Sequence, residues 1–253
     1  MRRIIAFQFL FALFLSACTH TQRAAFVPSQ HGFAFRNSFV GDPIPDFLRD
    51  SPVGALIRKS ADAGLIEMPE RFGLCGGMCA AATDYWLNAI PVPSAVVAPS
   101  PGEKLYEYLK MRQVESLGSG GVMALKFIEW MQLDERAPGR CTQELSRTEL
   151  KSILAAVQDE GFAHVGLVYV DRTGLPWQNH QVLVCGFSRV DATVTMQIYD
   201  PNFPRRDDVE LVVRLEEDVH GRKFACTTQR WKGGERPVRG VFLMPYKVMR
   251  PQK

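Results

Sequence analysis

Two hydrophobic patterns divide the chain near Gly161. Before it, apolar residues recur every three or four positions, which is the spacing that buries one face of a helix. This spacing predicts helices over residues 47–63, 75–89, 104–114 and 122–133, and one that begins at the capping-box sequence Ser146-Arg147-Thr148-Glu149 and ends at Gly161. The glycine-rich residues 118–121 lack the Lys-Ser/Thr that follows in a phosphate-binding loop, so we interpret them as a helix–helix turn.

After Gly161 the chain consists of short segments that are rich in β-branched and aromatic residues and separated by turn residues. They predict strands over residues 163–170, 181–189, 193–199, 209–215, 223–230 and 240–245. Helices followed by strands predict an α+β fold, with N-terminal helices packed on a mostly antiparallel C-terminal sheet. We expect residues 46–253 to form a single domain, because this length can bury one sizeable core.

The N-terminus is typical of an export signal. Arg2 and Arg3 precede an apolar run that is too short to remain as a transmembrane helix. The run ends in Leu15-Ser16-Ala17-Cys18, which resembles the lipobox of bacterial lipoproteins. This resemblance implies cleavage before Cys18, which removes residues 1–17, and a diacylglyceride with fatty acids such as palmitate on the Cys18 sulfur, usually with an acylated amine. The alternative is a plain signal peptide cut nearby, with an incidental Cys18. Residues 18–45 are then expected to form a lipidated tether that becomes an ordered arm.

Charge and hydropathy limit the partners of the mature chain. Removal of residues 1–17 takes away two arginines and no acidic residue, so the formal charge falls from +3 to +1 and indicates no nucleic-acid partner. No later segment approaches the length and apolarity of a membrane span. We therefore expect a protein anchored to the membrane through Cys18, in the bacterial cell envelope, facing the periplasm or the exterior. Thr19 is compatible with outer-membrane sorting in a two-membrane bacterium.

Besides Cys18 the chain has cysteines at positions 75, 79, 141, 185 and 226, in a compartment where disulfides form readily. Their number is odd, so at least one thiol stays free even if the others pair. The sequence does not determine which of them pair.

Cys75 carries the strongest chemical signal. It lies among glycines in Gly73-Leu74-Cys75-Gly76-Gly77, at or just before the first turn of a predicted helix. At that position unpaired backbone N–H groups and the helix dipole favour thiolate, the reactive form of cysteine. Cys75 is therefore a candidate nucleophile. Alternatively, Cys75 and Cys79 could form a structural disulfide or be two small buried side chains.

His180 is the best candidate for the base that such a nucleophile needs, because it begins a predicted strand whose apolar run would hold it rigidly. Asp200 ends the following strand, and a hairpin that turns at Asp191 would return its carboxylate to the imidazole. Asn202 is a second candidate for this orienting role, and Asp200 could equally be a turn residue. The remaining histidines are expected in the tether, the core and a charged turn: His20, His31, His164 and His220.

Three motifs together resemble the papain-like cysteine peptidases: Cys75-Gly76-Gly77 at a helix start, His180 before an apolar run that ends in Gly186, and Tyr199-Asp200-Pro201-Asn202 at a strand end. The resemblance is to the bacterial branch that cleaves bacteriocin leaders after a double glycine. It implies a papain-like fold with Cys75 as nucleophile, His180 as general base and later acid, and Asp200 as the orienting carboxylate. It covers residues 72–86 and 180–204.

One feature of that family is missing here. Its members usually carry a Gln shortly before the nucleophile that stabilises the oxyanion, and residues 68–74 contain none. Loss of one oxyanion donor typically costs about a hundredfold or more in rate. Backbone N–H groups near Cys75 and the Arg71 side chain are the candidates to replace it.

Together the two resemblances imply a lipid-anchored cysteine peptidase-like enzyme that acts on peptide or other amide bonds of a peptide or protein, by hydrolysis or by transfer to an amine. No cofactor is expected. The alternative is a lipoprotein that retains the fold as a binding or scaffold module without turnover, which the missing Gln and the neighbouring Cys79 favour. A metal site built from Cys75, Cys79 and His180 is a third hypothesis, weakened by loose spacing and the lack of a fourth ligand.

Overall fold

The structure is a computed structural model that describes residues 24–41, 58–59, 62–64 and 70–251. The lipobox with Cys18 and most of the helix predicted at residues 47–63 lie outside these ranges. The described helices are α1 (Pro28–His31), α2 (Cys75–Leu87), α3 (Lys104–Ser116), α4 (Val122–Gln132) and α5 (Thr142–Glu160). Within these ranges, no helix combines the length and the hydropathy that crossing a membrane requires.

The second half of the chain forms a seven-stranded sheet in which every neighbouring pair is antiparallel. Its strands are β3 (Ala163–Val168), β4 (His180–Val190), β5 (Thr193–Tyr199), β6 (Glu210–Glu217), β7 (Lys223–Trp231), β8 (Gly234–Val238) and β9 (Gly240–Leu243). The spatial order is β8-β7-β6-β5-β4-β3-β9. Two short strands, β1 (Phe39–Val40) and β2 (Arg71–Phe72), pair separately. Helices and an antiparallel sheet confirm the α+β class.

Helix α5 packs on the sheet through the apolar stripe that the sequence predicts, which includes Leu150, Ile153 and Val157. The helix begins earlier than predicted, at Thr142, so the expected start at Ser146 is wrong. Ser146 lies inside the helix, where its hydroxyl donates to the Thr142 carbonyl and accepts from the Val241 N–H. These contacts tie the helix to β9, and Gly161 ends it in the left-handed conformation, as predicted.

A second core forms around α2, between the sheet and the N-terminal arm. Ten consecutive residues of α2 are buried, from Gly76 to Tyr85, because small side chains let neighbouring elements approach closely. A Cβ at Gly77 would lie 2.1 Å from the Leu109 carbonyl oxygen of α3. The arm contributes four buried aromatic rings to this core: Phe26, Phe33, Phe35 and Phe39. Residues 24–41 are therefore an ordered part of the fold.

The far end of α2 is fixed by Asp84, whose side chain is fully buried. Its carboxylate accepts from the hydroxyl groups of Tyr108 at 2.7 Å and Tyr246 at 2.8 Å, and from the Met249 N–H at 2.8 Å. Arg112 Nε lies 2.8 Å from the same group and compensates its charge. This cluster anchors α2 to α3 and to the C-terminal segment, so the helix that carries Cys75 has little freedom to move.

Candidate active site

Cys75 is the first residue of α2 and is partly exposed. The Leu74 N–H that precedes it donates to Asn37 Oδ1 at 2.6 Å, and the Gly77 N–H donates to Gln113 Oε1 at 3.0 Å. Among the described residues, the backbone N–H groups of Cys75 and Gly76 have no acceptor. The structure thus places the thiol at a helix start that retains unpaired donors, as the sequence indicates.

The predicted hairpin brings His180 and Asp200 together. Strands β4 and β5 pair antiparallel from Val190 opposite Thr193, through a turn in which Asp191 takes a φ of +50°, to Leu183 opposite Tyr199. His180 Nε2 consequently lies 2.7 Å from Asp200 Oδ1. Both side chains are buried, so this charged contact is protected from water.

The imidazole also interacts with Cys75. Burial alone would lower the pKa of His180, but the charges of Asp200 and Cys75 and the hydrogen bond to Asp200 raise it to about 10. Because Nε2 is directed at Asp200, Nδ1 is the ring nitrogen left for the thiol. Cys75 and His180 line the same cleft, and Asp200 holds the imidazole from behind, an arrangement that suits a thiolate–imidazolium pair oriented by a carboxylate.

Asp200 is held in its ionised form by several donors. Burial acts to raise the pKa of Asp200, but the charge of His180 and the hydrogen bonds it receives lower that pKa overall. Besides His180, the donors are the Asn202 N–H to Oδ1 at 2.8 Å and Gln229 Nε2 to Oδ2 at 2.5 Å. The Tyr169 hydroxyl donates to Gln229 Oε1 at 2.5 Å, which fixes the orientation of that amide. The carboxylate is thus fully engaged on both oxygens.

Asn202, the second candidate for the orienting role, lies at the same place with its amide nitrogen 3.3 Å from His180 Nε2. Its Oδ1 accepts from Asn37 Nδ2 at 3.3 Å. The orientation of the Asn37 amide is defined, since Oδ1 must be the atom that accepts from the Leu74 N–H. Asn37 therefore links the segment before Cys75 to the loop after Asp200.

These residues line a cleft of about 270 Å³. Cys75 and His180 lie in it, and the other residues that line it, mostly aromatic, polar or cationic, are Asn37, Ser38, Arg71, Phe72, Gly73, Tyr169, Trp177, Gln178, Asn179, Asn202 and Arg236. Arg71, a candidate oxyanion donor, is bound to Ser38 through Nε to Oγ and Nη2 to the carbonyl, both at 2.6 Å. The cleft thus makes the partly exposed Cys75 and the buried His180 accessible from solvent.

The other cysteines lie apart from this chemistry. Cys79 is fully buried, and its thiol donates to the Gln181 carbonyl at 3.6 Å. The structure has free thiols at Cys75, Cys79, Cys141, Cys185 and Cys226. In the part of the chain that the structure describes, no three His, Cys, Asp or Glu side chains cluster as metal ligands would.

His164 lies in the core, as expected from the sequence. It stacks on Tyr246 with ring centroids 4.5 Å apart, and its Nε2 lies 3.2 Å from the Thr83 hydroxyl. Burial, with a further contribution from the charge of Arg112, lowers the pKa of His164 to about 3. This histidine is therefore neutral and cannot substitute for His180.

Comparison with known proteins adds no relative: no family model, no curated protein and no solved structure matches this chain. Three residues of the site were missed at the sequence level, namely Asn37, Tyr169 and Gln229. No local pattern marks any of the three, because only long-range contacts bring Asn37 to Leu74, and Tyr169 through Gln229 to Asp200.

Proposed function

We propose that this protein is a papain-like thiol enzyme that cleaves or transfers acyl groups from peptide or other amide bonds, with Cys75 as nucleophile. The observation that carries the proposal is the buried 2.7 Å contact between His180 Nε2 and Asp200 Oδ1, on an imidazole that lines the same cleft as Cys75. A raised pKa keeps that imidazole protonated at neutral pH, so it can pair with a thiolate and later donate a proton.

In the first half of the reaction, Cys75 Sγ attacks the carbonyl carbon and a C–S bond forms, while the carbonyl π electrons move to oxygen. Collapse of this intermediate breaks the C–N bond, and the leaving amine takes the proton from His180. In the second half, water or an acceptor amine gives its proton to His180 and attacks the thioester. The C–S bond then breaks and the thiolate returns.

Two residues that line the cleft, Cys75 and Asn37, carry donors that are available for the oxyanion in place of the missing Gln. The Cys75 N–H has no acceptor within the described ranges, and Asn37 Nδ2 has one N–H left after its contact with Asn202. We assign these two groups to the oxyanion site. Arg71 is a poorer candidate, because two of its nitrogens are engaged by Ser38.

The lipobox-like sequence at residues 15–18 supports attachment of this enzyme to a membrane of the cell envelope through Cys18, with the cleft facing the periplasm or the exterior. Its substrate would then be a peptide or protein in that compartment. Globomycin treatment of cells that express the full chain tests the anchor: accumulation of the uncleaved form is expected, whereas normal processing would exclude a lipoprotein.

Selective alkylation tests the enzymatic core of the proposal. Reduced protein at pH 7 is treated with substoichiometric iodoacetamide, and the modified cysteine is identified by mass spectrometry. We expect iodoacetamide to modify Cys75 in preference to the other thiols. In His180→Ala the rate of Cys75 alkylation should fall at least about tenfold, because the thiolate loses its imidazolium partner. Equal labelling of Cys75 in the two proteins would contradict the proposal and favour a binding module without turnover.

A further inference from the structure

The cleft carries two arginines and, among the described residues that line it, no Asp or Glu. Arg71 belongs to β2, just before the nucleophile, whereas Arg236 belongs to the edge strand β8 of the large sheet. The two cations therefore reach the same cleft from separate parts of the fold. Such convergence is notable in a chain whose formal charge after removal of the signal is nearly zero.

Arg236 is held over an aromatic layer. Its guanidinium carbon lies 3.7 Å from the centroid of the Tyr169 ring, and that ring stacks on the His180 imidazole at 6.3 Å with an interplanar angle of 21°. Because the two stacking distances are 3.7 and 6.3 Å, the guanidinium lies no more than 10 Å from the imidazole centre. An extended peptide covers that distance in about three residues.

Both guanidinium groups are oriented, and neither has an ion-pair partner among the described residues. Stacking covers one face of Arg236, and its N–H groups have no acceptor within the described ranges. Ser38 fixes one edge of Arg71. A planar guanidinium donates two parallel hydrogen bonds to a carboxylate, and prior orientation reduces the entropy lost on binding.

We propose that the cleft selects acidic peptides, in which a carboxylate within about three residues of the reacting carbonyl binds Arg236, with Arg71 as a second cationic contact. The inference rests on the proposed function and specifies its substrate class. Phe72 and Trp177 supply apolar surface beside the two charges. The recognised ligand is thus a short acidic segment, not a uniformly polar one.

A pair of small alkylating agents tests the charge selection without knowledge of the substrate. Second-order rate constants for modification of Cys75 are measured with iodoacetate and with iodoacetamide, in wild type, Arg236→Gln, Arg236→Lys and Arg71→Gln. We expect the ratio of the iodoacetate to the iodoacetamide rate constant to fall about threefold or more in Arg236→Gln, and to fall also in Arg71→Gln, because each variant loses a charge that attracts the anion. The ratio should fall less in Arg236→Lys, which keeps the charge.

Arg189→Gln is the matched control. It removes one exposed positive charge nine positions along β4 from His180, about 30 Å away at the rise of a strand. Its ratio should equal that of wild type. An unchanged ratio in Arg236→Gln would overturn the selection of acidic peptides but would not contradict the proposed thiol enzyme. Failure of iodoacetamide to modify Cys75 selectively would overturn the proposed function itself.

A second pair of probes tests the peptide. Two tetrapeptide chloromethyl ketones that differ only in Glu or Gln at the second residue from the electrophile are compared at Cys75. We expect the Glu probe to react at least about threefold faster in wild type, and the preference to disappear in Arg236→Gln. If Glu and Gln probes react at equal rates, with the substituted residue at this position and at each neighbouring position, selection for acidic peptides is overturned even if iodoacetate is favoured.

Discussion

His180 Nε2 and Asp200 Oδ1 lie 2.7 Å apart although 20 residues separate them in the chain. The contact is set by the register of two paired strands, since His180 begins β4 and Asp200 follows the end of β5. The exposed fractions of the two residues are 5% and 1%. Removal of one partner from a buried ion pair leaves an uncompensated charge, so the two residues are interdependent in stability and in chemistry.

Asp200→Asn tests whether the negative charge of Asp200, and not only its size and position, is needed by His180. The variant keeps the volume of the side chain but removes the charge that opposes the effect of burial on the pKa of His180. The pKa of His180 should fall, and alkylation of Cys75 by iodoacetamide at pH 7 should slow by about tenfold or more, since one pKa unit corresponds to about 1.4 kcal/mol. Asp191→Asn, at the turn of the same hairpin, is the control; equal rates in the two variants would refute the orienting role.

The raised pKa of His180 also predicts how stability depends on pH. A group with a higher pKa in the folded state stabilises fully below its unfolded pKa, about 6.5, and this contribution is lost as the pH rises. For His180 the loss is complete near pH 10. The difference in unfolding free energy between wild type and His180→Gln, from urea denaturation, should therefore shrink between pH 7 and pH 10. A constant difference would show that the imidazole is not protonated in the folded protein.

Asp200 has the opposite effect at acid pH. Its pKa is lowered in the folded state, so its stabilising contribution is present above the unfolded pKa and is lost as the pH falls through the folded value. The difference in unfolding free energy between wild type and Asp200→Asn, measured by urea denaturation, should therefore shrink as the pH falls from 6 to 3. A difference that grows on acidification would contradict an ionised Asp200.

Gly77→Ala should destabilise the protein because of packing and not chemistry. The added Cβ would lie 2.1 Å from the Leu109 carbonyl oxygen, a backbone atom of α3 that cannot rotate away. Overpacking of this kind costs about 1–3 kcal/mol, measured as a lower midpoint in urea. Gly186→Ala is a suitable control, since its Cβ would meet only the end of the Gln197 side chain, at 2.9 Å. Similar stability of the two variants would contradict the close approach of α2 and α3.

The periodic parts of the fold were predictable from the sequence. The hairpin of β4 and β5 and the helix that starts at Cys75 follow from alternation, helical spacing and turn residues, which are local signals. Strand β8 was not predicted. Its sequence, Gly-Glu-Arg-Pro-Val, has little β propensity, and it is tolerated because an edge strand needs only one partner. The start of α5 was also misplaced, because Ser146 bonds to β9 instead of capping the helix.

The same distinction applies to the site. Cys75, His180 and Asp200 stand out because each lies at the end of a predictable element. Gln229 and Tyr169 do not, because their contribution is a hydrogen-bonded chain to Asp200 across the sheet. No local pattern encodes a contact between residues so far apart in the chain. Asn37 is a further case, since its position depends on how the N-terminal arm packs.

Asn37 provides the test of the oxyanion assignment. Acylation of Cys75 by p-nitrophenyl acetate passes through an oxyanion, whereas alkylation by iodoacetamide does not. Asn37→Ala should therefore slow acylation by about a hundredfold and change alkylation little. Asn37→Asp, which keeps an acceptor for the Leu74 N–H but lacks the amide donor, should also lose acylation. Asn88→Ala, at the opposite end of α2, controls for damage to the helix. If both reactions slow equally in Asn37→Ala, the residue only positions Cys75 and the oxyanion has another donor.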